Sequence, residues 1–358
     1  MFEFLNVHTR PLVGIDISSS AVKLVSLGQD SNKGQYTLEA YGIELLPAQV
    51  VVERNLKAID KATKAVRHLV EQLKINRKYV AISVAGSSVV SRVVQLSARY
   101  KELQLAEQIE AEAERYFPFP LEEIYYDFEV LGPFERNPEF SDVLLAAARV
   151  ETVDSRVTAI TEAGLKAVVV DVEWMAIERA FPLVVSHLPE QGKGQNFALI
   201  DMGATTTSIY VIRDLKVIYN REQAFGGKHL IDEIQRRYGL SAEEAFIAQR
   251  YGELPEDYMA EVLTPFKETV IQQISRALQI FSSSSEELDI HYVVLAGGIS
   301  KIQGLETLAQ SQLKIKSFIA NPFINVKIAD NINKDALFEE ASGLLVACGL
   351  ALRNFIDE

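Results

Sequence analysis

A chain of 358 residues is longer than one hydrophobic core usually serves, so its length predicts two domains. Apolar residues make up 48% of the chain and charged residues 24%, which excludes an intrinsically disordered protein. The formal net charge of -13 opposes binding to nucleic-acid phosphates, and no run of Lys or Arg reverses it, so nucleic acid is not expected as a partner.

The termini and the single cysteine carry little chemistry. Cys348 lies in an apolar segment and is expected to be a buried thiol, without a disulfide partner, which fits a reducing compartment. Residues 1–10 are too few and too polar for a signal peptide, and no apolar run reaches the roughly 18 residues of a membrane span. Direct membrane insertion is therefore not expected. The five histidines show no metal-ligand spacing, so no transition-metal site is expected either.

The first recognisable unit is residues 12–25, an apolar strand that ends in Asp16 and is followed by small hydroxylated residues and a second strand. This pattern predicts a tight hairpin with an exposed tip. Backbone N–H groups and hydroxyls at such a tip can surround an anion, and a neighbouring carboxylate suits Mg²⁺.

The next part of the chain changes character. A helix at 56–73 and a strand at 79–84 continue an α/β pattern. A small α+β insertion is then predicted from strands at 89–96, 124–131, 143–150 and 167–172 and helices at 102–116 and 153–163. Residues 188–195, which contain a proline and two glycines, predict a linker between two large halves.

Residues 198–211 repeat the plan of the first hairpin, with a strand that ends in Asp201 and a tip of small residues. Two such hairpins predict two similar domains that face each other, with the tips holding phosphate from both sides. Asp16 and Asp201 would then hold Mg²⁺, mostly through water.

A third motif is the strand at 292–296, which leads into Gly297 and Gly298. Glycines allow the backbone to approach a ligand closely, and a helix beginning at Ser300 and Lys301 would favour negative charge at its N-terminus. A final helix is predicted at 338–355. Each motif alone is equally typical of an ordinary turn, but their order is informative.

This order of motifs resembles the actin, Hsp70 and sugar-kinase ATPase superfamily. Within it, the chain is similar to the PilM family of type IV pilus assembly proteins and to the cell-division protein FtsA. The stretches that resemble the PilM family are residues 14–17 with 22–24, 116–123 with 127–128, 320–323 and 349–353.

The resemblance implies a duplicated actin-like (ribonuclease H-like) α/β ATPase fold with an FtsA-type inserted α+β subdomain. The first actin-like domain would span 1–78, completed by 173–190 and a C-terminal helix at 336–358. The inserted subdomain, expected to bind the partner, would span 79–172, and the second actin-like domain 195–335.

The resemblance also implies ATP and Mg²⁺ as cofactors, with Asp16 and Asp201 near the metal ion. The other nucleotide-binding positions that it implies are Ser18, Ser19, Ser20, Lys23, Gly203, Ala204, Thr205, Thr206, Gly226, Gly227, Gly297, Gly298 and Ser300.

Several positions depart from the family pattern. Ser18 stands where a glycine is common, and Ile231 stands where a threonine is common. Phe246 and Gln249 replace a Glu and a Lys expected around the ribose and base. Contact with phosphate is therefore better supported by the sequence than contact with adenine.

Glu173, which follows the strand at 167–172, is the candidate for orienting an attacking water, but a carboxylate at a helix start is favoured by the helix dipole in any case. Hydrolysis is therefore expected to be slow or absent. The remaining alternatives are an FtsA-like filament-forming ATPase and an active kinase-type ATPase.

The partner implied by the resemblance is the cytoplasmic N-terminal segment of the inner-membrane protein PilN, extended between the insertion and the first domain. Phe117, Pro118 and Phe119 would either line that groove or pack the insertion internally. Pilus motor ATPases and a second copy of the chain are further partners that the family suggests. The implied location is cytoplasmic, at the inner face of the bacterial inner membrane, in a process such as twitching motility.

Overall fold

The computed structural model describes residues 11–29, 35–284 and 288–356, and every structural statement below refers to these residues. The predicted outer boundaries at residues 1 and 358 lie outside them. In chain order the strands are β1 (Val13–Ile17), β2 (Ala21–Gln29), β3 (Tyr36–Leu45), β4 (Val51–Val52), β5 (Asn55–Leu56), β6 (Tyr79–Val84), β7 (Val89–Ser97), β8 (Ile124–Pro133), β9 (Phe140–Arg149), β10 (Lys166–Val172), β11 (Asn196–Met202), β12 (Thr207–Arg213), β13 (Lys216–Gln223), β14 (Tyr292–Ala296), β15 (Lys316–Ile319) and β16 (Lys327–Ile328).

The helices predicted at 56–73, 102–116 and 153–163 are present within a few residues of the expected bounds, whereas no bounds were predicted for the helix at 173–185 and only a start, at Ser300, for the one at 305–313. In all, the described residues form twelve α-helices. They are α1 (Ile59–Gln72), α2 (Glu102–Ala111), α3 (Ala113–Tyr116), α4 (Val150–Glu162), α5 (Glu173–Val185), α6 (Gly227–Tyr238), α7 (Ala242–Tyr251), α8 (Thr264–Ser284), α9 (Leu305–Leu313), α10 (Lys334–Glu340), α11 (Leu345–Ala351) and α12 (Arg353–Ile356). No helix in these ranges is both long and apolar enough to cross a bilayer.

Two sheets with related topology form the body of the molecule. The first has the order β10-β6-β1-β2-β3-β16 and the second the order β13-β12-β11-β14-β15. In each, a hairpin (β1–β2 or β11–β12) pairs on its other side with a parallel strand, β6 or β14. The register places Asp16 opposite Lys23 and Asp201 beside Ala296. The internal repetition in the sequence is therefore visible as two similarly built halves.

Helices α5 and α11 lie between the two sheets and share one apolar core with both. Phe181 and Phe197, both fully buried, meet edge to face with ring centroids 5.0 Å apart. Helices α1 and α4 cover the outer face of the first sheet, and α6, α8 and α9 cover that of the second. The hairpin tips are thus held on rigid elements.

The insertion is an antiparallel sheet with the order β7-β9-β8, covered by α2 and α3. It leaves the first sheet after β6 and returns through α4 to β10. The predicted bounds 79–172 were therefore too wide: β6 and β10 are strands of the first sheet, α4 packs in its core, and the insertion itself runs from β7 to β9. Phe117 is 4% exposed inside the insertion core, and Phe119 lies half-buried with the Arg149 guanidinium 4.0 Å from its ring centroid. Phe117 therefore packs the insertion and does not line a groove.

Two helix predictions were wrong at the same place. The continuous final helix is broken by a turn at Ala341–Gly343, where the Gly297 N–H donates to the Ser342 carbonyl at 2.8 Å. After Gly297 the chain forms only a short turn, Gly298–Lys301, and α9 begins at Leu305. The two turns are also joined by the Ser342 hydroxyl, which donates to the Gly297 carbonyl at 3.3 Å, so the two departures meet at one contact between distant segments.

Candidate functional site

The two hairpin tips meet in the cleft between the halves. At the first tip, the Ser18 N–H and hydroxyl both donate to the Ala21 carbonyl, at 2.9 and 2.8 Å. At the second, the Gly203 N–H donates to the Thr206 carbonyl at 2.9 Å. The Thr205 hydroxyl donates to the Ser19 hydroxyl at 3.3 Å, although the two residues are 186 positions apart. Hydroxyls and small residues from both halves therefore converge at one point, as the sequence predicted.

Two glycine turns enclose the second hairpin. The N–H groups of Gly227 and Lys228 donate to the carbonyls of Gly203 and Ala204, at 3.1 and 2.7 Å. A Cβ atom on Gly226 would lie 2.6 Å from both of these carbonyl oxygens, so only glycine permits this approach. On the other side, the Gly297 backbone passes the end of β11. The hairpin tip is thus fixed by backbone contacts that any side chain would prevent.

Carboxylates and one lysine line the floor of the cleft. Asp16 is 3% exposed, and its Oδ2 lies 3.4 Å from the Lys23 Nζ. Burial by itself lowers the pKa of Lys23. The carboxylates of Asp16, Asp201 and Glu173 together raise this pKa by more, so its net shift is upward. Burial raises the pKa of Asp201, with Asp16 adding to the effect and Lys23 opposing it. A divalent cation held beside Asp201 would favour the charged form of this carboxyl and so counter the effect of burial.

The donor set also limits what could be held here. Within the described ranges, no three His, Cys, Asp or Glu side chains gather closely enough to hold a metal ion. Asp16 and Asp201 offer only carboxylate oxygens, which suits Mg²⁺ bound largely through water and phosphate oxygens.

Glu173 is the first residue of α5, and its side chain is 16% exposed at the edge of the cleft. Burial raises its pKa to about 7; the Arg54 guanidinium opposes this shift, and Asp16, Glu222 and Asp201 add to it. Near neutral pH this carboxyl is therefore close to half-protonated.

Sequence reasoning missed the basic residues that face these carboxylates. Arg54, in the turn between β4 and β5, places Nη1 3.9 Å from Glu173 Oε2 and Nη2 2.8 Å from Glu222 Oε2. Arg156, on α4, is 3% exposed behind it. No sequence signal identified them, because residues 54 and 222 meet only through tertiary packing.

Some predicted positions do not present side chains to the cleft. Ser300 is fully buried, and its hydroxyl donates to the Gly297 carbonyl at 2.7 Å, so it shapes the turn. Phe246, on α7, is 37% exposed, so an apolar side chain stands on the helix that was expected to supply polar groups. The residues predicted to bind phosphate therefore lie together in the cleft, whereas Ser300 and Phe246, at positions expected around the nucleoside, do not offer polar groups to it.

The duplicated sheets, with facing hairpin tips, define the chain as an actin-like protein with an inserted α+β subdomain. More narrowly, it belongs to the PilM family: the sequence model described as "Type IV pilus assembly protein PilM" matches residues 14–355.

Individual relatives agree with this. The "PilM-PilN type IV pilus biogenesis complex" superimposes with a TM-score of 0.79 and 27% identity, over 96% of this chain and 98% of that chain. Cell division protein FtsA of Bacillus subtilis (strain 168) is 24% identical in an alignment that covers 88% of this chain and 80% of FtsA. Ethanolamine utilization protein EutJ of Carboxydothermus hydrogenoformans shares the fold, with a TM-score of 0.56 and 17% identity over 96% and 89% of the two chains.

Proposed function

We propose that this chain is a nucleotide-binding scaffold of type IV pilus assembly, which takes ATP with Mg²⁺ in the cleft and an extended segment of a PilN-type partner beside the insertion. The observation that carries the first half is the contact between the Ser19 and Thr205 hydroxyls. It brings two phosphate-type tips to one place, next to the buried Asp16 and the partly buried Asp201. The second half rests on the similarity to the PilM-PilN complex.

In this proposal the tips bind phosphate oxygens with backbone N–H groups and hydroxyls, and Lys23 supplies a positive charge. Asp16 and Asp201 would hold the metal ion, mostly through water, and Mg²⁺ held there would supply positive charge to balance that of the phosphates. The turn at Gly297 and Gly298 leaves room for the nucleoside, since nothing lies within 4 Å of a Cβ built on Gly298.

Turnover is proposed to be slow. A general base works best when its pKa lies near the working pH, so the pKa of Glu173 would not by itself make turnover slow. Glu173 is, however, the one water-orienting candidate that the sequence offered, and its Oε2 lies 3.9 Å from Arg54 Nη1, so the carboxylate is engaged by a guanidinium. This arrangement supports a role for the nucleotide as a structural ligand rather than as a fuel.

Thermal unfolding tests the nucleotide proposal directly. A ligand that binds only the folded chain stabilises it by about 2.7 kcal/mol at one hundred times its Kd. Mg·ATP should therefore raise the melting temperature of the wild type, and Asp201→Asn should lose most of that rise. Asp60→Asn, an exposed carboxylate on α1, is the matched control and should keep it. Equal shifts in all three proteins would show that the cleft is not the nucleotide site.

The partner segment is proposed to pair with β10. This strand is an edge of the first sheet, hydrogen-bonded only to β6 among the described strands, and it follows directly on the path back from the insertion. Val170, at 38% exposure, stands on it. Extended peptides add to such edges through main-chain hydrogen bonds. The net charge of -13 favours a basic residue in the segment. Through this partner the chain would be held at the cytoplasmic face of the inner membrane.

Calorimetry with a synthetic PilN N-terminal peptide tests the partner proposal. Binding to the wild type is expected, with affinity at least tenfold weaker in Val170→Asp. Ile218→Asp is the matched control, because Ile218 is 44% exposed on β13, the edge of the other sheet. No binding to the wild type, with or without ATP, would refute the partner; equal losses in both variants would refute its place on β10.

A further inference from the structure

One carboxylate of the second half joins two separate parts of the chain. Glu222, on β13, accepts a hydrogen bond from Arg54 Nη2 at Oε2, at 2.8 Å. Its Oε1 accepts a hydrogen bond from the Ser87 backbone N–H at 3.2 Å. Arg54 belongs to the β4–β5 turn of the first domain, and Ser87 lies at the start of the insertion. Any movement of Glu222 therefore acts on both.

The helix that follows the insertion reaches the same arginine. Arg156, on α4, donates from Nη2 to the Arg54 carbonyl at 2.9 Å and from Nη1 to the Thr152 carbonyl at 3.2 Å. Arg54 has φ of +69°, a left-handed conformation that a non-glycine residue keeps only when its surroundings hold it. We call Arg54, Glu222, Ser87 and Arg156 the Arg54 cluster; it contacts the chain where the insertion begins and in the helix that follows the insertion.

The Arg54 cluster also faces the charge of the cleft. Burial by itself lowers the pKa of Arg54, but the carboxylates of Glu173 and Glu222 raise it by more. The Arg54 guanidinium therefore interacts with both carboxylates. The Nε atoms of Arg54 and Arg156 are buried and have no hydrogen-bond partner. Buried donors without partners are rare in folded proteins, so the cluster retains capacity for a further acceptor.

We propose that Arg54 is a positioning residue that couples the charge of the cleft to the insertion. An anion added near Glu173 competes with Glu222 for the Arg54 guanidinium, and the contact at Ser87 changes with it. The inference rests on the proposed function in taking a magnesium-bound nucleoside triphosphate as that anion. It goes further in naming the residues through which the insertion, and so the partner bound beside it, responds to the nucleotide.

The chain carries a reporter at this place. Trp174, its only tryptophan, follows Glu173, and its Cδ1 lies 3.7 Å from a Cβ built on Gly86. The Ser87 amide is the second reporter, because its hydrogen exchange depends on the bond to Glu222. Both can be followed in the full chain without any assay of activity.

The first experiment uses the nucleotide-free chain. Glu222→Ala should raise Ser87 amide exchange by about tenfold, as expected for loss of a hydrogen bond to a charged group. Glu178→Ala is the matched control: Glu178 joins the same two halves by accepting from Lys216 Nζ at 2.9 Å and from the Val217 N–H at 2.7 Å, away from the insertion. Ser87 exchange should stay within about twofold in this control. Unchanged exchange in Glu222→Ala would overturn the inference.

The second experiment adds Mg·ATP, with binding checked by thermal shift. Ser87 exchange and Trp174 fluorescence should change in the wild type and in Glu178→Ala but not in Arg54→Ala, even though all three bind. Glu222→Gln, which keeps the shape of the side chain without its charge, replaces Arg54→Ala if that variant does not fold. Binding without a change in the wild type, or the same change in Arg54→Ala, would overturn the coupling and leave nucleotide binding intact. Absence of any thermal shift in the wild type would overturn both.

Discussion

Replacing Gly297 by alanine adds one methyl group to the turn beside Asp201 and so tests the geometry of the cleft. Gly297 has φ of +79° and ψ of 173°, a backbone region that is essentially confined to glycine. An added Cβ would lie 2.4 Å from the Met202 carbonyl oxygen and 2.6 Å from Asp201 Oδ1. The substitution therefore strains the turn and displaces the end of β11 and the Asp201 carboxylate.

The expected cost has two parts. Holding alanine in this conformation costs about 1–3 kcal/mol, and the shift needed to relieve the overlap costs about 1–3 kcal/mol more. A loss of roughly 2–6 kcal/mol is a large share of the 5–15 kcal/mol that typically separates folded from unfolded chains. Gly298→Ala is the matched control, since nothing lies within 4 Å of its Cβ, and it should change stability by less than about 1 kcal/mol.

Urea unfolding followed by both circular dichroism and Trp174 fluorescence measures the difference, provided that the two transitions coincide. Gly297→Ala should also lose most of the Mg·ATP stabilisation, because it displaces Asp201. Equal unfolding midpoints for the two variants would refute the tight approach of Gly297 to β11. Normal ATP stabilisation in a destabilised Gly297→Ala would refute the role given to Asp201.

Two further predictions concern the core and the buried acid. Gly349→Ala should lower the free energy of unfolding in urea by about 3 kcal/mol or more, because its Cβ would lie 1.8 Å from the Ala176 carbonyl oxygen. Gly343→Ala, whose Cβ would lie in open space, should leave this free energy nearly unchanged. Similar losses in the two variants would contradict the packing of α11 on α5. The pKa of Glu173 is raised from 4.5 to about 7, so between these values the folded chain keeps a proton that the unfolded chain releases. Stability conferred by this group should therefore fall as pH rises from 4.5 to 7, by up to about 3 kcal/mol, relative to Glu173→Gln; parallel pH profiles for the two proteins would show that the carboxyl is not held neutral.

Local sequence patterns were sufficient for the elements that form the cleft. An apolar strand, small residues and a second strand can hardly form anything but a hairpin, and this is how residues 13–29 and 196–213 fold. The predicted strand at 79–84 is present with the same bounds. The order of these motifs indicated only the superfamily. The resemblance to the PilM family, confirmed over residues 14–355, followed from the stretches at 14–17 with 22–24, 116–123 with 127–128, 320–323 and 349–353.

The departures occur where distant segments meet. Apolar periodicity predicts one final helix, but periodicity is a property of neighbours along the chain, and the break at Ser342 lies where this turn is hydrogen-bonded to Gly297, 45 residues away. Ser300 was assigned to the nucleotide by the resemblance and as the start of a helix, yet its buried hydroxyl bonds to the turn itself.

The sequence by itself determined the two hairpins and the glycine turns, because each depends on conformational preferences within a few residues. It also indicated the family, through the resemblance of short stretches to the PilM family. The tertiary structure alone decided the electrostatics of the cleft. Arg54 and Glu222 are 168 residues apart and unremarkable in their own segments, and they meet because packing of α5 and α11 between the sheets brings β13 against the β4–β5 turn. Burial of Glu173 and the charges around it arise from the same packing, so its raised pKa is a property of the assembled halves and not of any segment of the chain.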